Sequence, residues 1–229
     1  MKAVNGLKSR SSASFARIRM TAGVAMTIVF ATTAFAQVPP GGAAQPGRGG
    51  GGGGRGRGAI QVMTLNTPAF NDDGVIPVKH AQPGRDVSPA LSWSGVPDSN
   101  VASFALIVHD ANAPIGNGTD DMLHWMVWNI PASARSLPEG VPHGPNLPDG
   151  ARQISASGPY YRGPAAPPTG PPHSYLFELY ALDTMLDVAP VTPGQQIQPA
   201  VTRAAVVAAM AGHVRGKATL VGTFRRAAP

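Results

Sequence analysis

Ser103-Phe-Ala-Leu-Ile-Val-His-Asp110, Met122-Leu-His-Trp-Met-Val-Trp-Asn-Ile130 and His173-Ser-Tyr-Leu-Phe-Glu-Leu-Tyr-Ala-Leu182 are the three long apolar runs whose reading decides the fold. Each has the length of a strand and is apolar on both parities, the pattern of strands covered on both faces. Outward from these runs, Gln61-Val-Met-Thr-Leu65 and Ala90-Leu-Ser-Trp93 read as shorter strands, and Lys217 to Arg225 as a last one, with Leu220, Gly222 and Phe224 on one parity. Gln198 to His213, rich in Ala and Val, reads as the only sizeable helix, closed near Gly212. Pro and Gly break the remainder, and no internal repeat is present. The expected class is mainly β, one domain, with a single helix towards the C-terminus.

Polar residues stand where these runs begin or end. Asp110 closes the first run and shares a face with Phe104, Leu106 and Val108; His124 lies near the start of the second, and period two places it with Met126 and Trp128. If the two strands form a hairpin, the end of one meets the start of the other. His173 opens the third run, and Tyr175 points the same way two residues on. Between the second and third runs, Tyr161 to Gly170 is too rich in Pro and Gly for helix or strand, and such a loop can bring backbone N–H groups to a ligand. One carboxylate, two imidazoles and a phenol at one sheet edge suit a small anion. Asp110 has a second task there, accepting from one imidazole to fix its tautomer and favour its charged form.

The ends of the chain are separable from this unit. Met1 to Met20 carries Lys2, Lys8, Arg10, Arg17 and Arg19 with no acid, and Thr21 to Ala36 is uncharged and ends Ala34-Phe35-Ala36. That is the order of a secretory signal, with cleavage expected after Ala36 and a periplasmic or secreted destination. The stretch is short for a membrane anchor, which needs about 20 apolar residues, and no Cys follows it to carry a lipid. Gln37 to Gly58 is Gly, Pro, Ala and Gln with three arginines, the composition of a flexible linker. Ala59 to Pro229 is then the folded domain.

Charge follows the same division. The formal +6 of the whole chain rests on 18 basic and 12 acidic residues. Removing the five signal residues leaves 13 against 12, and removing Arg48, Arg55 and Arg57 leaves 10 against 12, a balance of −2. The basic character is therefore no argument for nucleic acid. Zero Cys rules out disulfides and thiolate metal sites. There is no Gly-x-Ser-x-Gly, Ser-x-x-Lys or His-Glu-x-x-His, and no metal or cofactor signature, so a hydrolase using His124, His173 and Asp110 is the weaker reading. His109, on the parity opposite Asp110, reads as structural or exposed. His80, His143 and His213 have no supporting context, and Trp93, Trp125 and Trp128 read as core and pocket wall. Asn117-Gly-Thr119 reads as a turn before it reads as a glycosylation sequon.

Taken in order, Ser88-Pro-Ala-Leu-Ser-Trp93, Leu106-Ile-Val-His-Asp-Ala-Asn-Ala-Pro114, His124-Trp-Met-Val-Trp-Asn-Ile-Pro131, Tyr161-Arg-Gly-Pro164, Pro167-Pro168, His173-Ser-Tyr175 and Ala181-Leu-Asp183 resemble the phosphatidylethanolamine-binding proteins, in their bacterial branch resembling Raf kinase inhibitors. The resemblance covers essentially the whole domain. It implies a central antiparallel sheet with a smaller second sheet, and a pocket accepting phosphate, acetate or a phospholipid head group. The family's site residues fall on Asp110, His124, Gly163, Pro164, His173 and Tyr175. It also implies an alternative role, inhibition of or docking to a protein partner through a phosphorylated or acidic group, and leaves a homodimer open. Two departures stand out: Asp110-Ala-Asn112-Ala-Pro114 replaces the usual Asp-Pro-Asp-Ala-Pro, which relaxes the loop and makes the pocket less acidic, and Ala165 or Ala166 occupies the place of a frequent Cys.

Overall fold

A computed structural model of the protein describes residues 59–192 and 194–228. The expected export signal and linker lie outside the described residues. The elements are β1 (Gln61–Val62), β2 (Thr64–Asn66), β3 (Gly74–Val75), a 3-10 turn (Val78–His80), β4 (Leu91–Ser94), β5 (Ser103–Ile115), β6 (Asp120–Pro131), β7 (Ser136–Leu137), β8 (Arg152–Ile154), β9 (His173–Leu182), α1 (Pro199–Met210) and β10 (Val214–Phe224). They build a seven-stranded sheet in the order β1-β10-β9-β5-β6-β8, with β3 also on β10, and a three-stranded sheet in the order β2-β4-β7.

The three long runs form the centre of the large sheet, antiparallel to their neighbours. That sheet is mixed, not wholly antiparallel, because the short β1 and β3 run parallel along β10. The expected single strand Gln61–Leu65 is divided: Met63 is buried between β1 and β2, and its N–H donates to the carbonyl of Lys217 (2.8 Å) as the chain crosses from one sheet to the other. The helix occupies the middle of its expected range, ends at Met210, and turns through Gly212 at φ +84° so that β10 begins at Val214, ahead of the expected Lys217.

Covering on both faces explains the continuous apolarity of the long strands. Phe104, Leu106, Val108, Trp125, Phe177 and Leu179 join Leu65, Leu91, Trp93 and Leu137 of the small sheet in one buried cluster. Ala105, Ile107, Leu123, Met126 and Trp128 meet Val206 and Met210 of α1 in another. Fully burying one such large side chain stabilises by about 1.5–3 kcal/mol. Gln153, fully buried on β8, accepts from Trp125 Nε1 (2.9 Å) and donates to the carbonyls of Pro142 (2.7 Å) and Gly144 (2.9 Å), so the indole beside His124 is fixed by a satisfied amide.

Candidate functional site

Two irregularities in the β5–β6 pairing place the polar residues. The register passes from Val108↔Trp125 to His109↔Leu123, one step on β5 against two on β6, so His124 is an extra residue in the ladder. A bulge of this kind re-aims the side chain it carries. The expectation from strict alternation, that His124 shares a face with Met126 and Trp128, is therefore corrected: those two pack towards α1, whereas the His124 ring meets the ring of Tyr175 edge-on with centroids 5.0 Å apart. The second irregularity lies between Asp110↔Met122 and Pro114↔Asp121. Here the chain bows out, and Asn112 N–H donates to Asp110 Oδ1 (2.9 Å) while Asn112 Oδ1 accepts from the N–H of Ser174 (2.7 Å). The departure at Asn112 ties this bow to β9 instead of loosening it.

Asp110 pairs across the sheet with Tyr175, and His173 lies two residues away on the same face of β9. The His173 Nδ1–H donates to the Asp110 carboxylate, 2.8 Å from Oδ2 and 3.1 Å from Oδ1. Asp110 is 3% exposed and His124 4%, while His173 is half-buried. The His124 Nδ1–H donates to the carbonyl of Arg162 (2.8 Å), and the Arg162 N–H returns a bond to the His124 carbonyl (3.0 Å). Burial pulls the His124 pKa down, against the opposing pull of the Arg162 carbonyl and of the Asp110 charge, so the ring favours its neutral form. Burial, then the charge of Asp110, pushes the Tyr175 phenol far up, so it stays protonated.

Asp110, His124, His173 and Tyr175 thus come together. Gly163 and Pro164 adjoin them through Arg162, but their own polar groups turn to the segment following the 3-10 turn. Gly163 N–H donates to Asp86 Oδ1 (2.6 Å), its carbonyl accepts from Gln82 Nε2 (2.7 Å), and the Pro164 carbonyl accepts from the Gln82 N–H (3.0 Å). Ala165 and Ala166 N–H both donate to the Tyr175 hydroxyl oxygen (3.3 and 3.2 Å). The loop's donors hold the loop in place and do not open towards a ligand as its composition led one to expect. Asp86 and Gln82 were not legible as partners, since neither belongs to a periodic run. Two grooves, of about 400 and 430 Å³, flank α1 and include none of the six candidate residues. Among the described residues no three His, Asp or Glu side chains converge as a metal-ligand set.

His109 is buried, not exposed. Its Nδ1 pairs with Asp121, its Nε2 stands 3.4 Å from Glu178 Oε2 in an ion-pair distance without hydrogen-bond geometry, and Arg203 of α1 (2.5 Å to Asp121) and Lys217 of β10 (2.6 Å to Glu178) complete the chain of charges. Burial alone works against charge on His109, but Glu178 and Asp121 together outweigh it and raise the pKa. The nearby His109 ring, then Lys217, hold the Glu178 carboxyl down to about 2. Pairing that raises the imidazole is complete below its ordinary 6.5 and is lost as pH rises through the raised value. The difference in Tm between the protein and His109→Gln is expected to shrink as pH rises above that point, measured by calorimetric scans; a constant difference would contradict the pairing. His213, without context in the sequence, pairs with Asp183 (2.7 Å) at the surface.

Two packed β-sheets with a His, Asp and Tyr cluster where β5, β6 and β9 meet define a mainly β protein. A sequence profile described as phosphatidylethanolamine-binding protein matches residues 66–225, and the chain belongs to that family. A UPF0098 protein of Methanothermobacter thermautotrophicus is 45% identical over 166 residues, 72% of this chain and 99% of its own. A Mycobacterium tuberculosis protein named as lipoprotein LppC is 33% identical over 168 residues, 72% of this chain and 74% of its own. Among solved structures, a phosphatidylethanolamine-binding protein homologue from Chlamydia trachomatis (32% identity) and YbcL of E. coli (26%), described as a new member of the mammalian family, each superpose with a TM-score of 0.58 over 72% of this chain and 98% of theirs. No helix among the described residues is long and apolar enough to cross a membrane.

Proposed function

We propose that the domain is a binding protein for a small phosphate-like anion, free or as a phospholipid head group, held by Asp110, His124, His173 and Tyr175 beside the wall formed by Gly163 and Pro164. The observation that carries the reading is the buried Asp110 carboxylate bonded to His173 within one cluster with His124 and Tyr175. A buried carboxylate bonded to an imidazole stands next to a second imidazole kept neutral by burial and a phenol pushed up by it, a polar cluster with no apparent need in the core. An arriving anion favours protonation of His124, which burial alone disfavours. Binding therefore draws a proton. Phosphate affinity is expected to rise as pH falls from about 8 to about 5.5, with most of that rise missing in His124→Ala. Titration calorimetry tests this, and an affinity indifferent to both pH and the substitution would defeat the reading. The sequence also supports export, with Gln37 as the mature N-terminus. N-terminal sequencing of protein recovered outside the cytoplasm checks it, and a retained Met1 there would contradict it.

A further inference from the structure

We infer that Asn117 is a modification site: its carboxamide leaves as ammonia under attack by the following backbone nitrogen, and a mixture of aspartyl and isoaspartyl residues replaces it at the tip of the β5–β6 hairpin. The turn Gly116-Asn117-Gly118-Thr119 joins Ile115, the last residue of β5, to Asp120, the first of β6, and all four turn residues are exposed. Among the described residues Asn117 is the only asparagine followed by glycine. That neighbour matters because the attacking atom is the Gly118 nitrogen. A Cβ at Gly118 would meet nothing within 4 Å, so the ring that must form there has open space around it. Gly116 and Gly118, at φ +58° and +84°, also leave the backbone on either side of Asn117 free to reach the closing geometry.

One bond restrains the attack. The Gly118 N–H donates to the Ile115 carbonyl (2.9 Å), and the nitrogen must leave that partner before it can reach Asn117 Cγ. A single bond in an exposed turn opens on the order of a tenth of the time, which slows the reaction without blocking it. Other asparagines are held more firmly. Asn112 Oδ1 accepts from the Ser174 N–H (2.7 Å), and the buried Asn129 amide is bonded at both ends to Leu186 (2.9 and 2.8 Å). The residues that follow them, Ala113 and Ile130, carry the side chains that Gly118 lacks.

The step balances without any oxidant or reductant. The Gly118 nitrogen bonds to Asn117 Cγ, the Cγ–Nδ2 bond breaks, and Nδ2 departs as ammonia with the proton that the backbone nitrogen gave up. Water then opens the cyclic imide. Addition at Cγ restores the ordinary backbone with a carboxylate side chain, whereas addition at the Asn117 carbonyl carbon leaves the chain running through Cγ, one carbon longer. Either product places a new carboxylate beside Asp120 and Asp121, so residues 59–229 pass from 10 basic against 12 acidic to 10 against 13, or −2 to −3. The longer isoaspartyl backbone also disturbs the pairing of Ile115 with Asp120, two residues that line one of the grooves beside α1.

The test is a time course of the purified full chain at mildly alkaline pH, followed by charge-resolved chromatography and by peptide mapping with fragmentation that separates aspartyl from isoaspartyl. A more acidic form is expected to accumulate, with Asn117 converting at least on the order of tenfold faster than any other described asparagine and giving both products. Asn117→Gln, an exposed change whose longer side chain must close a larger ring, should abolish that form. Another described asparagine converting first, or Asn117 staying intact throughout, overturns the inference. Conversion to aspartate alone also overturns it, because direct hydrolysis of the side chain does not pass through the imide. A glycan found on Asn117 does the same, since it occupies the nitrogen that has to leave.

Discussion

Replacing Asp110 by Ala is expected to remove phosphate binding and to lower stability by about 2–3 kcal/mol, because the change strands two donors at once. Asn112 N–H loses the acceptor that closes the bow between β5 and β6, and His173 Nδ1–H loses both carboxylate oxygens. His173 keeps some contact with water, its side chain being 19% exposed, which is why the lower part of the range for breaking a buried pair applies. Asp110→Asn separates the two effects. The amide oxygen still accepts from Asn112, so most of the stability should return in urea denaturation. Phosphate affinity should stay reduced at least about tenfold, since an amide holds the His173 tautomer less firmly than a carboxylate does. Wild-type phosphate affinity in Asp110→Asn would remove Asp110 from the proposed site.

Gly163→Ala should be comparably damaging for a different reason. A Cβ at this position would lie 2.2 Å from the carbonyl oxygen of His80, 2.6 Å from Asp86 Oδ1 and 2.9 Å from Ala81 Cα. Two of these atoms are backbone and cannot swing aside, so the Tyr161–Ala166 loop must lift from the 80–86 segment. The expected loss is about 2–3 kcal/mol, as for overpacking elsewhere in cores. Phosphate affinity should fall in parallel, because lifting the loop breaks the reciprocal bonds between Arg162 and His124. Adding Asp86→Ala should not relieve the defect, since the His80 oxygen remains in place. A melting temperature and affinity equal to the wild type in Gly163→Ala would show that the loop does not depend on this close approach.

Much of the fold could be read from the chain because its signals were long and concordant. Three runs apolar on both parities demanded cover on both sides, and the small sheet and α1 provide it. The ordered motifs from Ser88 to Asp183 pointed to the family that the profile over residues 66–225 also identifies. Alternation also put Tyr175 on the same side of its strand as His173, and the β5–β9 register sets it opposite Asp110. What alternation could not carry was His124. Period two holds only while each residue faces one partner, and an unpaired residue reverses the parity of everything beyond it. His109, read as structural or exposed, is structural, but its partners Asp121, Glu178, Arg203 and Lys217 were not foreseen: they come from four elements, and a buried charge network made of isolated residues has no period to detect. The shared grip of Asp86 and Gln82 on Gly163 is likewise a meeting of irregular segments, settled only by their packing.

The unpaired His124 also constrains how such a chain can change by insertion or loss. Drop a single residue from the first half of β6 and the ladder closes without a gap, strand length and apolar content almost untouched. The imidazole would then turn to the face covered by the helix, away from Tyr175. Removing one residue between Leu123 and Trp125 is therefore expected to cost the site its imidazole while leaving the strand itself intact.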